Sequence, residues 1–159
     1  MSAGQDAARE DAPVKVIVFG SRTWDEPTTV KHRLRLLPPG STIVHGQSPG
    51  GGADFFGDVY GRALGFRVIP VPINGADRRR ARAMGKPRMA PILRNVRIGI
   101  EHPDADYAIG FWDGKTRGSK HMRDVCENFG ICVEIIAPAA VAGAQTRPVR
   151  SCGLDTEKQ

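Results

Sequence analysis

Val14-Lys-Val-Ile-Val-Phe19, closed by Gly20 and followed by Ser21-Arg22-Thr23-Trp24, is the stretch on which the fold turns. A short β-rich run that stops at a glycine predicts a buried strand whose end is open to a ligand. The pattern then repeats along the chain. Asp25-Glu-Pro27 offers a helix start, with Val30, Leu34 and Leu37 at helical spacing before Pro38-Pro39-Gly40. Thr42-Ile-Val-His45 reads as a second strand. Phe55, Phe56, Val59, Tyr60, Ala63 and Leu64 trace the next helix, ended by Gly65. Arg67–Ile73 is a third strand, placed at a sheet edge by its prolines. Residues 74–90 read as a basic loop, and Pro91 opens a helix packed through Ile92, Val96, Gly99 and Ile100. Tyr107–Trp112 is a fourth strand. Ser119 is the expected N-cap of a helix carrying Met122, Val125, Cys126 and Phe129, and Ile131–Ile136 is a fifth strand.

Such alternation predicts an α/β chain: a Rossmann-like, three-layer α/β/α fold around a five-stranded, mainly parallel sheet of order 3-2-1-4-5. In open sheets of this kind ligands sit beyond the carboxyl ends of the strands, where the strand order reverses. That rule selects Gly20–Trp24 and Asp113–Ser119 before any motif is considered. The expected organisation is a disordered leader over 1–12, the folded domain over 13–136 and a flexible tail over 137–159.

The bulk numbers set broad limits. The 159 residues suffice for one domain, and a net charge of +6 with 25% charged residues favours anionic partners without choosing among them. Cys126, Cys132 and Cys152 are odd in number and lack CxxC spacing, so free thiols are expected, with no disulfide framework and no metal site. No secretory h-region or membrane-length apolar run is visible, and the expected location is cytoplasmic.

Four segments carry candidate chemistry. Gly20, Ser21, Arg22 and Trp24 offer N–H donors, a guanidinium fork and an aromatic platform for a phosphate and its base. Trp112 could serve as a second platform, although Trp more often packs in a core. Gly46, Ser48, Gly50, Gly51, Gly52, Ala53 and Asp54 form a glycine-rich turn that matches neither GxGxxG nor GxxxxGK[ST]. Its glycines allow close approach of a ligand, and Asp54 reads as an N-cap sooner than as a ligand contact. His45, at the strand end, reads as structural. Arg94 and Asn95 fall in a first helical turn facing the crevice, with Arg97 on a solvated face. Gly118, Ser119 and Lys120 open a helix whose orphan N–H groups attract anions. The cations from Arg78 to Arg97, with no acidic residue among them, leave nucleic acid open as a less favoured partner. No aromatic interleaves them, as single-strand binders prefer.

Val16-Ile-Val-Phe-Gly-Ser-Arg-Thr-Trp24, Val44-His-Gly46 with Gly52-Ala-Asp54, Pro91-Ile-x-Arg94-Asn95, Asp104–Trp112 and Gly118-Ser-Lys-x-Met122 occur in that order. Together they resemble the YspA-like branch of the SLOG superfamily, found in bacteria and phages, across about residues 14–136. The resemblance implies a Rossmann-like fold, a nucleotide-derived ligand and a homodimer or larger homo-oligomer. It also implies kinship with the Lonely guy phosphoribohydrolases and DNA-processing protein A. Gly20, Ser21 and Arg22 would be first-loop contacts, Gly46 and Gly50–Asp54 the second, Arg94 the third, and Gly118-Ser119 the phosphate cradle. The phosphoribohydrolases carry PGGxGTxxE, and Met122 stands here in place of the assisting glutamate. A thioether is no acid or base. The expected function is therefore binding of a nucleotide or nucleotide-derived phosphate ligand, as sensor, carrier or sequestering protein. The alternatives are a phosphoribohydrolase using Asp54 or Asp113 with Arg94, and a DNA-binding protein. No cofactor beyond the nucleotide-type ligand is implied.

Overall fold

The computed structural model describes residues 12–48 and 50–139. Most of the expected leader, nearly all of the expected tail, Pro49 and Cys152 thus lie outside the described residues. Strands β1 (Lys15–Gly20), β2 (Thr42–His45), β3 (Arg67–Pro70), β4 (Tyr107–Phe111) and β5 (Val133–Ile136) alternate with helices. These are α1 (Pro27–Leu34), α2 (Ala53–Ala63), α3 (Gly75–Ala83), α4 (Ala90–Glu101) and α5 (Arg117–Asn128). The sheet order is β3-β2-β1-β4-β5, and each adjacent pair is parallel. This is the Rossmann-like α/β architecture expected, with the reversal of order between β1 and β4.

Two apolar layers close the sheet. Val16, Val18, Ile43 and Ile109 pack with Val30, Leu34 and Phe111 under α1 and α2. Ile17, Val44 and Ala108 pack with Ile98, Met122, Val125 and Cys126 under α4 and α5. Alternate residues of β1 thus feed opposite faces, the period of a strand buried on both sides. The core of these two layers contains Ile17, Leu34, Ile43 and Ile109 with no exposed surface; each such side chain contributes about 1.5–3 kcal/mol relative to exposure. β3 lies at an edge, as its prolines require. Val71 N–H donates inward to His45 O at 2.8 Å. By strand alternation, the backbone nitrogens of Pro70 and Pro72 face outward, where a missing N–H leaves no ladder bond broken.

Several local expectations are corrected. The stretch 74–90 is not a loop: Gly75–Ala83 is helical, held by an Asn74–Asp77 capping box in which each side chain accepts from the other's backbone N–H. In α4 the inward face carries Arg94, Asn95 and Ile98, while Ile100 is 60% exposed. Phe55 and Val59 likewise point outward from α2. Asp54 and Ser119 are not N-caps; Gly52 and Thr116 hold those positions, which places both side chains inside first helical turns. Cys126 is a buried free thiol, pushed up to about 12 mainly by burial, with Glu127 adding to it. Cys132 is disulfide-bonded, so the expectation of free thiols fails there.

Candidate functional site

Near the order reversal, the end of β1, the loops after β1, β2 and β4 and the N-terminal parts of α2, α4 and α5 line a cavity of about 250 Å³. Its polar lining comes from four segments: Gly20, Arg22 and Thr23; Gly46, Ser48 and Asp54; Arg94 and Asn95; and Thr116, Gly118 and Ser119. Ile17, Val18, Phe19, Pro91, Ile98 and Met122 complete the walls. Nine of the sequence-selected residues thus meet in one place: Gly20, Arg22, Gly46, Ser48, Asp54, Arg94, Asn95, Gly118 and Ser119.

Arg94 dominates the electrostatics. Its residue is 5% exposed, yet among the described residues no carboxylate pairs with its guanidinium. Nε donates to Asn95 Oδ1 at 3.1 Å, and Nη1 donates to the carbonyls of Gly46 and Val71. Burial pushes the guanidinium below its ordinary value, with Asp54 opposing and Arg22 and Arg97 adding to the effect. Arginine nevertheless keeps its charge at neutral pH. Gly46 explains how the group fits: a Cβ there would stand 2.6 Å from Arg94 Cζ.

Asp54 is the acidic member of the lining. It is 6% exposed, and its Oδ2 accepts from Ser48 N–H at 3.1 Å and Ser48 Oγ at 2.8 Å. Two arginines, buried Arg94 and exposed Arg22, therefore line the cavity against one carboxylate, leaving a net positive lining. The N-terminus of α5 adds its orphan N–H groups and positive dipole end.

The loops are tied to each other. Gly52 adopts φ +82°, and a Cβ there would lie 2.6 Å from Arg22 Cα. Ala53 N–H donates to Ser21 O at 3.2 Å, so the second loop rests on the first. Ser21 Oγ lies 3.2 Å from Thr116 Oγ1, which donates to Ser119 Oγ at 3.0 Å. This chain of hydroxyls joins the loop after β1 to the start of α5. Asn95 Nδ2 donates to Gly118 O at 3.4 Å and faces His121 Nδ1 at 3.3 Å. Burial lowers the His121 imidazole, against the pull of Asp124, and the neutral ring can accept that amide proton.

Other selected residues stand elsewhere. Trp24 is core: its ring lies 5.5 Å from that of Phe111, and its indole N–H donates to Glu26 O. Trp112 is buried under the Arg123 guanidinium and does not line the cavity. Ser21 is buried and reaches the site only through Thr116. Gly50, Gly51, Gly52 and Ala53 shape the second loop without lining the cavity. Lys120 is exposed outside it, and Asp113 accepts from Lys115 N–H in its own turn. His45 is structural: Nδ1 accepts from Gln47 N–H, so Nε2 carries the proton and donates to Asp58 at 2.8 Å. Thr23 and Thr116 line the cavity inside the two segments that strand order selects, although neither was singled out as a ligand contact. A hydroxyl at the true N-cap of α5 was the available signal for Thr116.

No family model matches the sequence. Among solved structures, two of the C-terminal domain of a Pyrococcus furiosus hydrogenase align at 16% identity with TM-scores of 0.44 and 0.45. They cover 77% of this chain and 89% and 91% of those chains, a likeness too slight to carry an argument. Among curated proteins, the Gene 61 protein of Mycobacterium phage D29 is 30% identical over 126 residues, spanning 75% of this chain and 93% of that protein. On that extent of match, the chain belongs to the family of the phage Gene 61 protein.

Proposed function

We propose that this protein binds a phosphate-bearing, nucleotide-type ligand in the crevice between the ends of β1 and β4. The observation that carries the reading is Arg94, a buried cation with carbonyl and amide partners but no described carboxylate, aimed at a cavity beside a helix N-terminus. A buried charge without a counterion is costly, and an incoming phosphate supplies one with matching bidentate geometry. Arg22, Thr116 and Ser119 line the same cavity and add donors. The resemblance to the SLOG superfamily supports the same ligand class. A cavity of about 250 Å³ lies just below the usual range of roughly 300–1,000 Å³ for small-molecule sites. That size suits a sugar phosphate held inside with a base extending toward the open side, as in a nucleoside monophosphate.

Calorimetry against nucleoside monophosphates, cyclic nucleotides and ADP-ribose tests the reading. A binder that is lost in Arg94→Ala supports it, and silence across the panel overturns it. A second reading, glycosidic-bond hydrolysis, rests on Asp54, whose Oδ1 has no hydrogen bond among the described residues. Asp113, outside the cavity, no longer supports it. Release of free base from a nucleoside monophosphate, abolished in Asp54→Asn with binding retained, distinguishes turnover from binding alone.

A further inference from the structure

The cations between Arg78 and Arg97 divide into two groups once they are placed on helices. Arg94 belongs to the cavity, and Arg97 pairs with Asp77 at 2.9 Å. Arg78, Arg79, Arg80, Arg82, Lys86 and Arg88 are all exposed and make no ion pair among the described residues. Elsewhere Lys15, Arg33, Arg62 and Arg123 each have a carboxylate within reach, whereas the exposed Arg35, Arg67, Lys115, Arg117 and Lys120 have none among the described residues but stand farther apart. The one acid on α3, Asp77, is 4% exposed and turned inward to Arg97.

The helix itself follows ordinary rules, with Asp77 in its first turn and Arg80 and Arg82 in its last, where the dipole favours cations. Arg78 and Arg82 are nevertheless four residues apart and repel, as like charges on one helix face do. Exposed cations packed this closely along the chain, none paired with a carboxylate among the described residues, form a positive surface suited to an anionic partner.

We propose that α3 and the turn after it form a docking surface for the phosphate backbone of double-stranded DNA. Arginine in place of lysine suits forked contacts to phosphate. The exposed side of α3 carries arginines and alanines, with no aromatic on which a single strand could stack its bases. It also lacks uncharged polar side chains to read the 2′-hydroxyls by which double-stranded RNA is recognised. Met84 is its lone exposed large apolar residue, too little for insertion into an anionic membrane. The surface is independent of the ligand cavity, because none of its six cations lines that cavity.

Fluorescence anisotropy of the full chain with a labelled 20-base-pair duplex of arbitrary sequence, titrated from 50 to 200 mM NaCl, tests the proposal. Four to six phosphate contacts predict an affinity loss of roughly 10²- to 10³-fold over that range. Arg79→Gln/Arg82→Gln, whose helix content is checked by circular dichroism, should weaken binding about tenfold or more at 100 mM and lower the salt slope by about 2. No duplex binding at 50 mM, or an unchanged slope in the double variant, overturns the proposal. Tighter binding to a single strand or to an RNA duplex, or preference for phosphatidylserine vesicles, overturns the assignment of the partner.

Discussion

Arg94 and Arg97 stand three residues apart on one helix and meet opposite fates. Arg97 donates to both oxygens of Asp77 and to Pro72 O. Arg94, more deeply buried, has only neutral acceptors among the described residues. The first is a strut that fixes α3 against α4. The second is a charge held in place without a direct ion pair among the described residues, offset only at a distance by Asp54 and Asp77. The comparison teaches that a cation's partners, more than its burial, separate a structural arginine from one reserved for a ligand.

The largest effect expected from breaking this contrast is at Arg94. Its replacement by alanine should reduce affinity for a nucleoside monophosphate about 100-fold, or ~2.7 kcal/mol, read by calorimetry. Arg97→Ala should leave that affinity unchanged and instead strand the Asp77 carboxylate. A loss of about 2 kcal/mol is expected, visible as a melting temperature lower by roughly 5–10 °C. Should Arg97→Ala abolish ligand binding with stability intact, the division of labour is wrong. Gly46→Ala drives a methyl into the Arg94 guanidinium and should weaken ligand binding about tenfold, ~1.4 kcal/mol, by displacing it.

The pair also predicts a pH dependence. Burial alone would raise the Asp77 carboxyl, but Arg97 and the Asn74 N–H outweigh it and hold the group below its ordinary value. Ionised Asp77 therefore stabilises the fold above the unfolded-state value near ~3.9, and this contribution fades as pH falls through the lower folded value. Urea midpoints from pH 6 down to pH 2 should show that acid limb in the native chain and a shallower one in Arg97→Ala. Lys120→Ala is the smallest change, expected within about ±0.5 kcal/mol in stability because the side chain is exposed and outside the cavity.

Strand order and the location of the crevice were legible because short β-branched runs ending at Gly20 and Gly46 leave few topologies open. Gly118 and Ser119 were legible as members of a first helical turn, whereas Arg94 and Asn95 stand one turn farther in than expected, because α4 starts at Ala90, and still line the cavity. Reading failed where direction mattered. Trp24 lies beside Arg22 in sequence, but the turn sends one ring into the core and one guanidinium to the cavity. Helix α3 lacks the apolar periodicity that marks the other helices, since it buries only Asp77 and Ala81. Its Asn74-x-x-Asp77 box was visible, and alanine and arginine are strong helix formers.

The outward backbone positions of Pro70 and Pro72 also bear on how this molecule behaves in a crowded solution. An exposed edge strand ordinarily offers donors to any passing chain. With two of those donors removed and Arg67 exposed on the same strand, the β3 edge is a poor template for intermolecular sheet growth. A strand added along that side would find no backbone donor at either proline.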